Sequence, residues 1–459
     1  MNADILQART PAEVSLAEVF RTSKSVLPGN KDVAQLREDS FRAFNLSGLP
    51  NRRIESWHYT DLRSLMREGL PLAGAPLPAA RDALRKQLSA ADVPKQRLIL
   101  ADGFFVPELS SDLPRGLTVR SLSSVLTEGR PDLIATLASQ DLASKDPVLC
   151  LNAALMQDGV VIEIAPGVNI PEPVHLIHFT VSQTPLAHFY RSLLLIGASA
   201  SIRLAESYQA ESVTPPEPAG QINSCLIVSI GDGATLSHTS ALTSNASRRL
   251  HIESLLARIG KRAKFDSFAL ISGTGVVRRQ MVVRLEGAGS EAMLSGVSLL
   301  GGREHADTTL RIEHVAQACL SRETFKYILD DQATGVFQGK IEVAQGAQKT
   351  DGKMLCKSIL LSDMATMNTK PELEIFADDV ACGHGATCGG LDADQLFYLQ
   401  TRGLPFAEAE ALLLEGFAGE LVDTVGHKGL IEHLRGVISA WLAARKNFSV
   451  ELSSRSPVA

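Results

Sequence analysis

A mainly β solenoid with helices at both ends is the fold class the sequence predicts, and three observations predict it. Short apolar runs, several of them β-branched, end in glycine and recur at a spacing of roughly thirty residues. No long amphipathic helix separates those runs, which disfavours a βαβ sheet. The two ends of the 459-residue chain carry helical patterns instead.

The first hundred or so residues read as helical. Thr10 or Ser15 is placed to cap a first helix, and Asp32 to Phe44 forms a second with Val33, Leu36, Phe41 and Phe44 near helical spacing. Arg53-Ile-Glu-Ser-Trp-His-Tyr-Thr60 interrupts this pattern and carries one of two tryptophans. Pro71, Pro76 and Pro78 mark a linker before a short helix around Ala80–Leu88. Residues 1–145 form an N-terminal, mainly helical unit on this reading.

The character changes near Leu151. Val160-Val-Ile-Glu-Ile-Ala-Pro-Gly167 is a β-branched run ending in a turn. The same phrase returns at Leu193–Gly197, Leu226–Gly231, Leu255–Gly260 and Val282–Gly287, then after a double-length gap at Ile341–Gly346. Each coil of a solenoid points apolar side chains inward and needs a neighbour above and below to bury them. Glycine is expected to supply the corner conformations that a Cβ resists. A β-sandwich is the competing reading, but its turn signals would come every 8–12 residues. The solenoid is expected over 146–390.

After Gly390 the chain turns helical again, over 391–459. Asp392 with Gln395 reads as a capping box, and Gly403 and Pro405 separate two helices. Phe406 to Val425 is rich in alanine and leucine. Leu430, Leu434, Val437 and Trp441 then fall on one helical stripe, which serves core packing, the capping of the solenoid, or docking.

Composition narrows the function classes. A net charge of −6 disfavours a nucleic-acid binder. The first residues lack the basic and apolar regions of a secretory signal, and no run approaches the ~18 apolar residues of a membrane span, so a cytoplasmic location is expected. Six scattered cysteines are too few for a disulfide framework. Gly273-Thr-Gly275 lacks the rest of a dinucleotide fingerprint and no G-x4-G-K-[ST] occurs, so no nucleotide is expected on this chain; no G-x-S-x-G nucleophile elbow occurs either.

One short, loop-like stretch invites a chemical reading. Cys382, His384 and Cys388 offer the thiolate and imidazole donors that iron or a nascent iron–sulfur cluster takes. If the stretch is extended, Cys382 and His384 face one way. The C-x-H-x3-C spacing matches no standard zinc set, and a fourth ligand must come from elsewhere. Asp378 and Asp379 read as solvated turn acids. His175, His178, His238 and His251 sit in apolar strand contexts, where satisfied core or surface residues are the expectation.

Between Gly335 and Phe417 the sequence closely resembles the core of the SufB/SufD family of iron–sulfur cluster assembly proteins. The blocks that carry the resemblance are Val336-Phe-Gln-Gly-Lys-Ile341, Gln348-Lys-Thr-Asp-Gly352, Thr369-Lys-Pro-Glu-Leu-Glu-Ile375, Ala377 to Thr387, Leu396-Phe-Tyr-Leu399 and Thr401-Arg-Gly403. Glu55-Ser-Trp-His-Tyr-Thr60 looks like the family's E-x-W-x-Y-T signature. Cys382-Gly-His384-Gly-Ala386 is SufD-like, and Ser362 to Asn368 lacks the cysteine of SufB-like chains; Cys388 departs from the usual pattern.

The resemblance implies a right-handed parallel β-helix flanked by helical domains, in a hetero-oligomer with a SufB-like paralogue and two copies of a SufC-like ABC ATPase. A homodimer is compatible with the isolated chain. The C-terminal helices, with Leu396, Phe397, Tyr398, Arg402, Phe417, Leu430, Leu434 and Trp441 as docking or packing residues, would meet the ATPase. The end of the β-helix would pair with SufB around a transient iron or iron–sulfur cluster at His384 and Cys382. Flavin association belongs to the same implication, and no residue here places it. The expected role is that of a non-catalytic partner. Two alternatives stand beside it: a carbohydrate-active β-helix enzyme, which needs aromatic platforms this chain's 5% aromatic content does not favour, and a stand-alone metal-binding protein.

Overall fold

The structure, a computed structural model, describes residues 9–90, 94–111, 113–137, 146–210, 220–243, 250–273 and 275–454. The expected boundary at 145 and Thr274 of the Gly273–Gly275 motif lie outside the described residues.

The helical opening forms where the caps dictate. Helix α1 (Pro11–Ser23) starts at a Thr10–Glu13 capping box, while Ser15 lies inside the helix and donates back to the Pro11 carbonyl. Helix α2 (Lys31–Ser47) is capped by Asn30. After α3 (Leu62–Leu65) and α4 (Pro78–Ala90) come three short strands, β1 (Arg97–Ala101), β2 (Phe104–Phe105) and β3 (Leu117–Ser121). Helices α5 (Leu122–Glu128), α6 (Pro131–Leu137) and α7 (Pro147–Leu155) lead into the solenoid.

Sixteen strands follow in succession. The even ones are β4 (Val160–Ile164), β6 (Ala187–Ile196), β8 (Gln221–Ile230), β10 (Leu250–Ile259), β12 (Val276–Leu285), β14 (His305–His314), β16 (Thr334–Val343) and β18 (Thr366–Ile375). The odd ones are β5 (Asn169–Thr180), β7 (Ser201–Ala210), β9 (Thr235–Thr243), β11 (Lys264–Ser272), β13 (Glu291–Leu300), β15 (Leu320–Leu329), β17 (Asp351–Leu360) and β19 (Ala381–Gly389). Even and odd strands form two separate parallel sheets, so each coil contributes one strand to each face of a flattened β-solenoid of about 7 turns. Side chains of period two fill the interior from Leu98 to Ala377 as one apolar column.

The corner geometry differs in detail from the expectation that the repeated glycines bend the chain. At this corner the residues in the left-handed region are Gly167, Ser199, Gly233, Arg262, Gly289, Ala318 and Lys349, one per coil, and all but Gly167, itself a glycine of the repeated phrase, lie two or three residues past the repeated glycine or its Ala316 counterpart. Each donates its amide to the next coil, as from Ser199 to Asp232 O (2.8 Å) and from Ala318 to Gln348 O (2.9 Å). Gly197, Gly231, Gly260 and Gly287 answer close packing instead: a Cβ on Gly287 would lie 1.9 Å from the Lys261 amide nitrogen. The double-length gap in the repeat is filled by Ala316, whose amide bonds to Leu285 O as that of Gly287 bonds to Ile259 O.

Flanking elements cover the outer faces unevenly. Residues of α1, α2 and α7 pack on Phe189, Leu250 and Ile252 of the even sheet. The Glu55–Thr60 motif is clasped there: Arg278 stacks on buried Trp57 (3.7 Å) and donates to Ser56 O (2.7 Å), while Thr60 bonds Asp307 and His305. Helices α8 (Ala393–Thr401), α9 (Phe406–Val422) and α10 (Lys428–Ser454) follow β19, and α9 and α10 fold back over Phe268, Leu270, Val297 and Ile328 of the odd sheet. Strands β18 and β19 end their sheets; β19 is largely exposed and β18 largely half-buried, and neither holds a fully buried residue.

Candidate functional site

The stretch carrying Cys382 and His384 is a strand, not the loop-like segment its glycines suggest. Parallel pairing of β19 with β17 over nine residues overrides the weak strand preference of a Gly- and Ala-rich sequence. Pairing on one side only leaves β19 as the terminal strand of the ten-stranded sheet.

Register puts the candidate donors on one face. Cys382 pairs with Gly352, His384 with Met354 and Cys388 with Ser358. Met354 and Cys356 belong to the interior column, and Cys382 packs against it, so the even-numbered residues of β19 face the solenoid's open end. Cys382 and His384 are adjacent on that face, with Cα atoms about 6.6 Å apart. Cys388 lies about 13 Å past His384 and about 20 Å past Cys382 along the strand, too far to share an ion with them. It lines a separate cavity of about 330 Å³ with Asp392, Gln395 and Phe417. Among the described residues no three His, Cys, Asp or Glu side chains converge to hold a metal ion.

Environment tunes the two differently. His384 is exposed. Cys382 is half-buried, and that burial raises its thiol above the usual value, with the Gly352 backbone opposing and Asp351 and Glu323 adding to the rise. A Cβ on neighbouring Gly383 would meet nothing, which leaves the outer side of the strand bare to an approaching backbone. Asp378 and Asp379 are exposed, and Asp379 pairs with Lys349. Met364 and Phe376 are exposed apolar residues of the same coil.

The C-terminal candidates divide in two. Phe397 and Tyr398 on α8 are 67% and 61% exposed, Arg402 is exposed, and Leu396 is half-buried. Leu434 is buried against the odd sheet, with Trp441 and Phe417 packed beside it, and Leu430 is buried as well. Lys326 lies over the Phe417 ring and donates to its carbonyl (2.7 Å). The stripe Leu430–Trp441 is therefore a packing face, and the free surface is that of α8.

Sequence reading missed a set of polar groups sealed inside the solenoid. Glu206 accepts from His238 (2.8 Å) and His178 (3.3 Å), and His238 also bonds Ser267 (3.0 Å). Burial works to raise the Glu206 carboxyl, but the two histidine hydrogen bonds outweigh it and hold it well below the carboxylate range. Arg279 pairs with buried Glu253 (3.1 Å), where burial prevails and the carboxyl rises. Nearer the open end, His314 bonds Ser321 (3.0 Å), and Glu323 is fully buried with neither carboxylate oxygen hydrogen-bonded. Strand parity was the available signal: Glu323, two before Phe325, and His314, two after Ile312, fall on inward positions.

Comparison with known proteins matches two family profiles along the chain. Residues 178–417 match the family described as SUF system FeS cluster assembly, SufBD core domain, and residues 11–176 match the SufBD protein N-terminal region. An iron–sulfur cluster assembly SufBD family protein of Synechocystis is 31% identical over 400 residues, covering 85% of this chain and 87% of the relative. The iron–sulfur cluster assembly protein SufD of Escherichia coli is 31% identical over 391 residues, covering 84% and 87%. That of Bacillus subtilis is 26% identical over 320 residues, covering 69% and 72%.

Proposed function

The chain belongs to the SufBD family of iron–sulfur cluster assembly proteins, and we propose that it acts there as the SufD-type, non-catalytic partner in a cytoplasmic complex with one SufB-like paralogue and two SufC-like ATPases. The observation that carries this reading is the terminal strand β19. It presents Cys382 and His384 together at an uncovered solenoid end, and an exposed strand edge is a ready template for another chain. The paralogue pairs with β18 and β19, and its own donors complete a transient iron or iron–sulfur site with His384 and Cys382. Imidazole and thiolate are fitted to that cargo.

The ATPase docks on α8, where Phe397, Tyr398 and Arg402 are free. ATP hydrolysis is assigned to that partner, and a flavin, if the assembled complex carries one, is assigned to no residue of this chain. The division of labour follows three parts: 1–145 braces the solenoid, 146–390 carries the site, and 391–459 serves the ATPase. The test is co-expression with the paralogue and ATPase under anaerobic conditions, scoring cluster content for His384→Ala and Cys382→Ser. Loss of cluster with the complex intact supports the reading; normal cluster content in both variants contradicts it.

A further inference from the structure

Glu323 is the least explained group in the molecule. It is a fully buried carboxyl on the inner face of β15, and neither of its oxygens has a hydrogen-bond partner. Orphaned ionisable groups inside an apolar core are costly and are kept for a reason. Its position supplies one. The ladder runs Glu323, Met354, His384 on one inward row and Ser321, Gly352, Cys382 on the row beside it. Glu323 therefore lies two coils beneath the donor pair, roughly 10 Å below it at the usual strand spacing.

The intervening layer is thin on the Cys382 side. Gly352 has no side chain, and a Cβ there would stand 3.5 Å from the Ser321 hydroxyl. Beneath the gap, Ser321 bonds His314 Nε2 (3.0 Å), and the other ring nitrogen of His314 has no partner. Glu323, Ser321 and His314, with one ring nitrogen unpaired, thus sit on the inner faces of β14 and β15, and Ser321 lies below Gly352 and Cys382 in the ladder. Burial pushes the Glu323 carboxyl up to about 8 and pushes His314 down to about 4. Both are neutral near pH 7.

The charged groups around Glu323 are few. Arg322 precedes it on β15 and is engaged by Asp351 (2.6 Å). On the inner face of β17 the titratable group is Cys356, whose thiol burial raises to about 12, while Lys353 and Lys357 lie on the other face. His314 of β14 and the donor pair on β19 complete the set, and β13 presents Leu294.

We propose that Glu323 is the internal counter-charge of the Cys382–His384 end, a carboxyl that keeps its proton in the absence of a cation and releases it when one binds there. The proposal rests on the reading of Cys382 and His384 as donors. Glu323 touches no ligand of the cation and acts through the field, as a positioning residue. The step balances simply: the carboxylic O–H ionises to carboxylate, and the proton is released to solvent. At such a separation in a protein interior, the attraction between carboxylate and divalent cation still exceeds thermal energy severalfold.

The test is anaerobic titration of the full-length chain with Fe(II), by calorimetry in buffers of different ionisation enthalpy so that protons released are counted. At pH 7 the native chain should release more protons per Fe(II) than Glu323→Gln, the difference approaching one. Between pH 6 and 8 its affinity should rise up to tenfold more per pH unit than the variant's. Infrared difference spectra give a check without mutation: a buried carboxylic-acid band should vanish as Fe(II) binds. Equal proton release in both chains overturns the inference and leaves the donor reading standing. Equal Fe(II) binding by the native chain and by His384→Ala removes the donor reading and the inference together.

Discussion

His384 and Glu323 stand two coils apart and make opposite demands on the fold. His384 is exposed at the solenoid's end, and its ring supports no packing. Replacing it with alanine should leave stability within about 0.5 kcal/mol, measured by chemical denaturation, while cluster assembly falls. Glu323 carries a cost instead. Its carboxyl rises from 4.5 unfolded to about 8 folded, so between those values the native state binds the extra proton and stability falls as pH rises. Below pH 4.5 both states are protonated and no penalty exists; above 8 the penalty is full. Glu323→Gln should therefore gain on the native chain progressively across that window, by roughly 2–4 kcal/mol at its top. A pH-independent difference would contradict the assignment. Trp57 is a third case: fully enclosed and stacked on Arg278, it should cost about 3–5 kcal/mol when cut to alanine. That reading makes the Glu55–Thr60 signature a brace between the N-terminal helices and the even sheet.

At the scale of elements, the coil corners and the C-terminal helices are the parts most open to test. The Cβ of Gly287→Ala would fall 1.9 Å from a backbone nitrogen of the preceding coil, so it should destabilise by more than about 2 kcal/mol, whereas Gly346→Ala, with open space around it, should be near neutral. The coil period was legible because each coil must return to the same register, and that return fixes a chain length. The reason for the glycines was not legible, since close approach between coils is a tertiary fact. The same limit applied to Leu430, Leu434 and Trp441. Their apolar spacing announced a buried face, but only the packing against Phe268 and Ile328 says what covers it. Removing everything after Gly403 would bare that face, so ATPase docking is better probed by Phe397→Ala with Tyr398→Ala. The pair should weaken capture of the ATPase and leave the thermal transition in place. Cys382 and His384 were legible as neighbours through strand alternation. Glu323 was not, because an acid shows its inward parity only once the strand register is known.

At the scale of the whole molecule, the solenoid is capped, braced and open by turns. The N-terminal helices cover the even sheet of the early coils, the C-terminal pair covers the odd sheet of the middle coils, and the last coil is left bare with its strand edges unpaired. A free chain of this shape exposes Phe376 and Met364 beside two unsatisfied edges, a liability that proteins normally mask. Incorporation into a larger assembly resolves it, and cluster chemistry then takes place where two chains meet. The measurement that tests this most directly is the mass of the complex purified anaerobically after co-expression with its SufB-like and SufC-like partners. A discrete assembly of this chain, one paralogue and two ATPases is the predicted result, and elution of this chain alone, with the partners together in a separate peak, would contradict it.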